Sequence, residues 1–129
     1  MTLLLSWQKS DGTTPLAEGA TLTSGTTYYA EIQVGSARDF GLTVIWDAAI
    51  IITSIALEST CKSSATAYAA VGSSGWQAEA ALGSTSAAGG SASSFTFSAT
   101  GATSGRYRAK AVIGGTGGVL TGEYAIKGG

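Results

Sequence analysis

Arg106, Arg108 and Lys110 form the sharpest charge feature of this 129-residue sequence, alternating with Tyr107, Ala109 and Ala111. Side chains on an extended strand point to opposite faces in turn, so the three cations share one face at intervals of about 7 Å. Such a stripe suits docking onto an acidic surface through two-pronged Arg–carboxylate contacts. It suits better a solvated outer face, partly neutralised across a hairpin by Glu123, because exposed ion pairs contribute little. Trp76, set between Gly75 and the polar Gln77–Glu79 run, is the aromatic residue expected to be partly exposed, as a platform for a sugar ring or an interface anchor. Arg106, Arg108, Lys110 and Trp76 are therefore the candidate partner-binding residues.

Catalytic chemistry finds little support. The chain has no His, which removes the usual general base near neutral pH and the commonest metal ligand. Its many serines are left with only the rarer Ser–Lys arrangement, and no G-x-S-x-G motif occurs. The carboxylates Asp11, Glu18, Glu31, Asp39, Asp47, Glu58, Glu79 and Glu123 are scattered, with no context that marks an acid–base pair. The glycines of Gly114–Gly122 do not follow phosphate-loop or dinucleotide spacings. Cys61 is the single cysteine, so neither an internal disulfide nor a cysteine-rich zinc site can form within one chain. The expectation is a non-enzymatic protein with no metal and no cofactor.

Composition narrows the partners. Seven Lys/Arg against eight Asp/Glu give a net charge of −1, which provides no footprint for nucleic acid. Hydrophobic residues make up 44% of the chain and charged residues 12%. Much of the surface must then be Ser, Thr, Ala and Gly, weakly solvated and with little like-charge repulsion, so the chain should associate readily. Leu42–Leu57, the longest apolar stretch, is interrupted by Asp47 and is too short for a membrane-spanning helix of about 20 residues. Met1–Trp7 lacks the basic flank and the long apolar core of a signal peptide and reads as a first strand.

The elements that must position these residues are strands. β-Branched residues, alternation and Gly-rich punctuation run from end to end. The patterning predicts strands at Leu3–Gln8, Thr26–Val34, Leu42–Trp46, Ile50–Leu57, Gly75–Ala81, Ser94–Thr100, Gly105–Ile113 and Val119–Lys127, and at Ala65–Val71 a strand with one short helical turn as the alternative. Ser10–Gly12 and Asp47–Ala49 read as turns, and Gly35–Asp39 breaks the pattern. Gly114–Gly118 is expected to close a hairpin between the last two strands. Gly83–Ser94, made of Gly, Ser, Ala and Thr apart from its neighbours, reads as a long surface loop or arm. Ile50–Ile52 should be buried or covered, since an open apolar edge invites aggregation. One all-β domain over residues 1–129 follows, an antiparallel β-sandwich or jelly roll of about eight or nine short strands.

In this order, Thr27–Val34, Leu42–Ile50, Gly75-Trp76 and Arg106–Val112 resemble the small virion proteins of tailed bacteriophages, of the head-decoration or minor structural class. The resemblance extends over most of the chain and lies in texture and strand order, with no diagnostic motif. It implies a protein on the capsid surface, made in the host cytoplasm, that bridges neighbouring copies of the major capsid protein and associates with copies of itself, a trimer being plausible. A carbohydrate-binding or adhesin module is the alternative, and a small viral coat protein a third. Nucleic acid and membrane are not expected partners.

Overall fold

The computed structural model describes residues 3–9, 15–16, 20–34, 39–61, 76–102 and 106–127. The sequence turn at Ser10–Gly12, most of the break at Gly35–Asp39 and the strand at Ala65–Val71 lie outside them. The described chain forms β1 (Leu3–Leu4), β2 (Trp7–Lys9), β3 (Thr27–Gln33), β4 (Asp39–Trp46) and β5 (Ile52–Thr60). It continues through β6 (Gln77–Ala78), a 3-10 turn η1 (Ala80–Leu82), β7 (Ser84–Ala87), β8 (Ser93–Ala99), β9 (Arg106–Ile113) and β10 (Leu120–Lys127). Among the described residues no helix is long and apolar enough to cross a membrane.

The strands pair antiparallel in two sheets. One runs β1-β10-β4-β8; the other runs β2-β3-β9-β5-β6, with β7 also paired to β5. The long strands alternate between the two sheets along the chain. Side chains on the facing surfaces fill the space between them, including Ala30 and Ile32 of β3, Leu42 and Val44 of β4, Ile55 and Leu57 of β5, Phe97 of β8 and Ala109 and Ala111 of β9. Strict alternation explains why: β4 reads intermediate, buried, intermediate, buried through Leu42, as expected of a strand with one face in the core. The fold is an antiparallel β-sandwich.

Four sequence expectations change. The first strand divides at Leu5-Ser6, so that β1 belongs to one sheet and β2 to the other, and with the additional β7 the described residues form ten strands. Gly75–Ala81 becomes only the two-residue β6 and the start of η1. Part of the supposed Gly83–Ser94 arm is β7, pairing Thr85 with Ile55 and Ala87 with Ile52. Ser and Thr hold a strand there because β5 offers a free edge.

The largest change concerns β9 and β10, which do not form a hairpin but lie in different sheets. Ile113 and Leu120 are both buried, one from each layer, so the intervening glycines cross the end of the sandwich. Their hydrogen bonds go elsewhere: Gly114 N–H donates to Ile51 O at 2.9 Å and Gly117 N–H to Leu22 O at 2.9 Å. Alternation marks strands but is blind to the sheet each one joins, which long-range pairing decides. Of the isoleucine triplet, Ile50 and Ile52 are buried as expected, whereas Ile51 is 42% exposed and lies across Gly114 and Gly115.

Candidate functional site

The structure brings Arg106, Arg108, Lys110 and Trp76 together, but as a closed cluster. Core residues Tyr107, Ala109 and Ala111 alternate with the cations, which therefore stand on the outer face of the six-stranded sheet. Register places Arg108 between Glu31 of β3 and Glu58 of β5. Arg106 clasps Glu31 with both prongs, Nε to Oε2 and Nη2 to Oε1, each at 2.9 Å. Arg108 donates from Nε to Glu58 Oε1 at 2.7 Å, and its Nη2 lies 2.7 Å from the same oxygen. Lys110 Nζ is 3.9 Å from Glu58 Oε2.

Aromatic rings close the cluster. The Arg108 guanidinium carbon lies 4.2 Å from the centre of the Tyr29 ring and 4.3 Å from that of Trp76, and Arg106 lies 5.2 Å from Trp76. A cation held between π faces away from water gains about 2 kcal/mol or more, and its ion pair offsets the cost of burial. Arg108 and Trp76 are both 0% exposed, which corrects the expectation of a partly exposed Trp76 and of a solvated cationic stripe. The neutralising carboxylates are Glu31 and Glu58, while Glu123 sits in the other sheet opposite Thr43. Burial pushes the Tyr29 hydroxyl above its usual pKa, with Arg108 pulling it down and Glu58 adding to the rise. The hydrogen bond from Arg106 to Glu31 raises the guanidinium pKa further.

Sequence reasoning missed Tyr29, Glu31 and Glu58. Their only local signal was the outward phase of Tyr29 and Glu31 on β3, since partners fifty or more residues away are set by register.

The outer face of the four-stranded sheet is open. Thr43, Thr96, Ser94, Ser98 and Thr121 share it with the apolar Leu4 and Ile45, which are 70% and 37% exposed. Thr43 and Thr96 hydroxyls are 2.8 Å apart across the β4–β8 pair. Glu123 is the charged residue near its middle; Asp39 and Lys127 lie opposite one another in register at one end, beside a groove of about 340 Å³ that Gly41 helps to line. None of the described aromatic side chains is exposed: Phe95 and Tyr124 are half-buried and the others are buried. Among the described residues no group of three or more His, Cys, Asp or Glu could hold a metal ion.

The layers and faces define an antiparallel β-sandwich module, closed by ion pairs on one outer face and bare on the other. No family profile matches the sequence, and no curated protein matches it. The fold is similar to part of the enzymatically active domain of tailspike protein 4 from bacteriophage CBA120, with a TM-score of 0.50 and 12% identity over 98% of this chain and 19% of that one. The chain thus spans about a fifth of that domain's length, and the likeness concerns the fold alone. The K1 cleaved adhesin domain of Lys-gingipain from Porphyromonas gingivalis W83 aligns with a TM-score of 0.48 and 14% identity over 100% of this chain and 99% of that one.

Proposed function

We propose that this chain is a non-catalytic, adhesin-type β-sandwich module that holds a protein surface through the open face of its four-stranded sheet. One observation carries the reading: Leu4 and Ile45 are exposed among Ser and Thr hydroxyls, whereas on the outer face of the other sheet the central Arg108 is 0% exposed and packed against Trp76 and Tyr29. A flat surface of small residues with isolated apolar knobs and few charges can be desolvated at low cost, which is what the centre of a protein interface requires. Sugar binding is the weaker form of the adhesin reading, because the aromatic rings that would stack on a pyranose are covered.

Attachment to a phage capsid is one setting for the same work, in which many copies add weak contacts over a repeating protein surface. The low charge and the bare face support that setting.

Purified chain should co-sediment with empty phage capsids at micromolar protein and raise their rupture temperature, while a glycan array stays silent. No binding to capsids would remove the virion setting. A selective glycan signal would overturn the protein-surface reading.

A further inference from the structure

The two sheets have four lateral edges, and three of them carry devices that discourage pairing with another strand. β1 is two residues long. β2 is three residues long, ends in Lys9 and is bridged at Gln8 by Pro15. β7 is four residues long, and its pairing with β5 is interrupted by a register shift. Short strands, lysine, proline and bulges are the means by which sheet edges are kept from joining others.

β8 has none of them. It runs unbroken from Ser93 to Ala99, pairs among the described residues with β4 alone, and holds no charge and no proline. The whole stretch from Ala80 to Gly105 is uncharged. η1 covers the side of the sandwich next to it: Leu82 packs against the core, and the Phe95 ring approaches Gly83. The η1 amides bond within their own turn, Leu82 N–H to Glu79 O and Gly83 N–H to Ala80 O, and so do not cap the β8 edge.

We infer that β8 is a self-association edge, at which two copies of this chain pair antiparallel about a two-fold axis through Thr96. The sequence identifies the occupant. Ser94-Phe95-Thr96-Phe97-Ser98 reads the same in both directions, so antiparallel pairing centred on Thr96 sets like against like. Phe95 meets its counterpart Phe97 on the inner side, where cross-strand aromatic pairs stabilise a sheet. Thr96 meets Thr96 on the outer side, repeating the Thr43–Thr96 contact already present within the chain. A two-fold, self-complementary interface is the commonest way for identical chains to join. The union extends the four-stranded sheet across both copies and doubles the bare face; it rests on the edge alone and stands whether or not that face binds a partner.

The test uses the full purified chain. Sedimentation equilibrium should show a reversible dimer that Thr96→Lys weakens at least tenfold, since two lysines would then stand opposite one another, while Ser86→Lys on β7 leaves it unchanged. A geometric arm guards against a folding defect. In a Cys61→Ser background, Thr96→Cys should form a disulfide-linked dimer under mild oxidation, because residues directly opposite have Cβ atoms about 5 Å apart. Ser94→Cys should not, because its own counterpart would lie about 13 Å along the strand. A chain that stays monomeric to millimolar concentration, a Thr96→Lys variant that dimerises as well as the parent, or Ser94→Cys linking as fast as Thr96→Cys would overturn the inference.

Discussion

Replacing Arg108 by Met would leave the Glu58 carboxylate, 3% exposed, with Lys110 at 3.9 Å as its remaining cation of this cluster. Removing one partner of a buried pair costs about 3–5 kcal/mol, because the other charge stays buried without compensation. Urea unfolding of Arg108→Met should show a loss of that size. Arg106→Ala, whose pair with Glu31 is partly exposed, should lose only about 1 kcal/mol. The same cluster sets an alkaline limit. The folded state raises the pKa of Tyr29, so its contribution is fully present below the unfolded tyrosine value of about 10 and is lost as pH rises through the folded one. Stability measured by urea unfolding should therefore fall above about pH 10, and Tyr29→Phe should flatten that fall. The sequence displayed the cationic stripe but not its burial. Arg108 became a core-like residue because Glu58 and Trp76 reach it from distant parts of the chain, and no local pattern encodes that approach.

Among the elements, the β9–β10 connection leaves no room for a side chain at Gly118. Gly118 has φ +85°, and a Cβ there would lie 2.7 Å from Ile50 Cα. Gly118→Ala should destabilise the protein by about 1–3 kcal/mol through backbone strain and collision, checked by the shift of the urea midpoint at unchanged slope. The six long strands were legible within a few residues, because β3, β4, β5, β8, β9 and β10 alternate or run apolar and are bounded by glycine or turns. What could not be read was their partnership. Gly114–Gly118 has the composition of a hairpin turn, yet it spans two layers, since the choice depends on whether Leu120 pairs with Ile113's sheet or with Trp46 across the core. Ser84–Ala87 shows the converse: a polar, small-residue segment becomes a strand only because β5 needs a neighbour.

For the whole molecule, composition and punctuation sufficed to place the chain among β-sandwiches. Which outer face stays open follows only from the structure, since both sheets have outward faces of alternating residues and one of them closes over Arg108. The three tryptophans, Trp7, Trp46 and Trp76, are 4%, 6% and 0% exposed, so native fluorescence should be blue-shifted and resist iodide quenching until the chain unfolds. The central claim is that the bare face binds and the roofed face holds the fold together. It is tested most directly by measuring the affinity of Ile45→Arg for empty phage capsids beside its stability. The account predicts at least a tenfold loss of affinity with the urea midpoint nearly unchanged, and full-strength binding by a folded Ile45→Arg would contradict it.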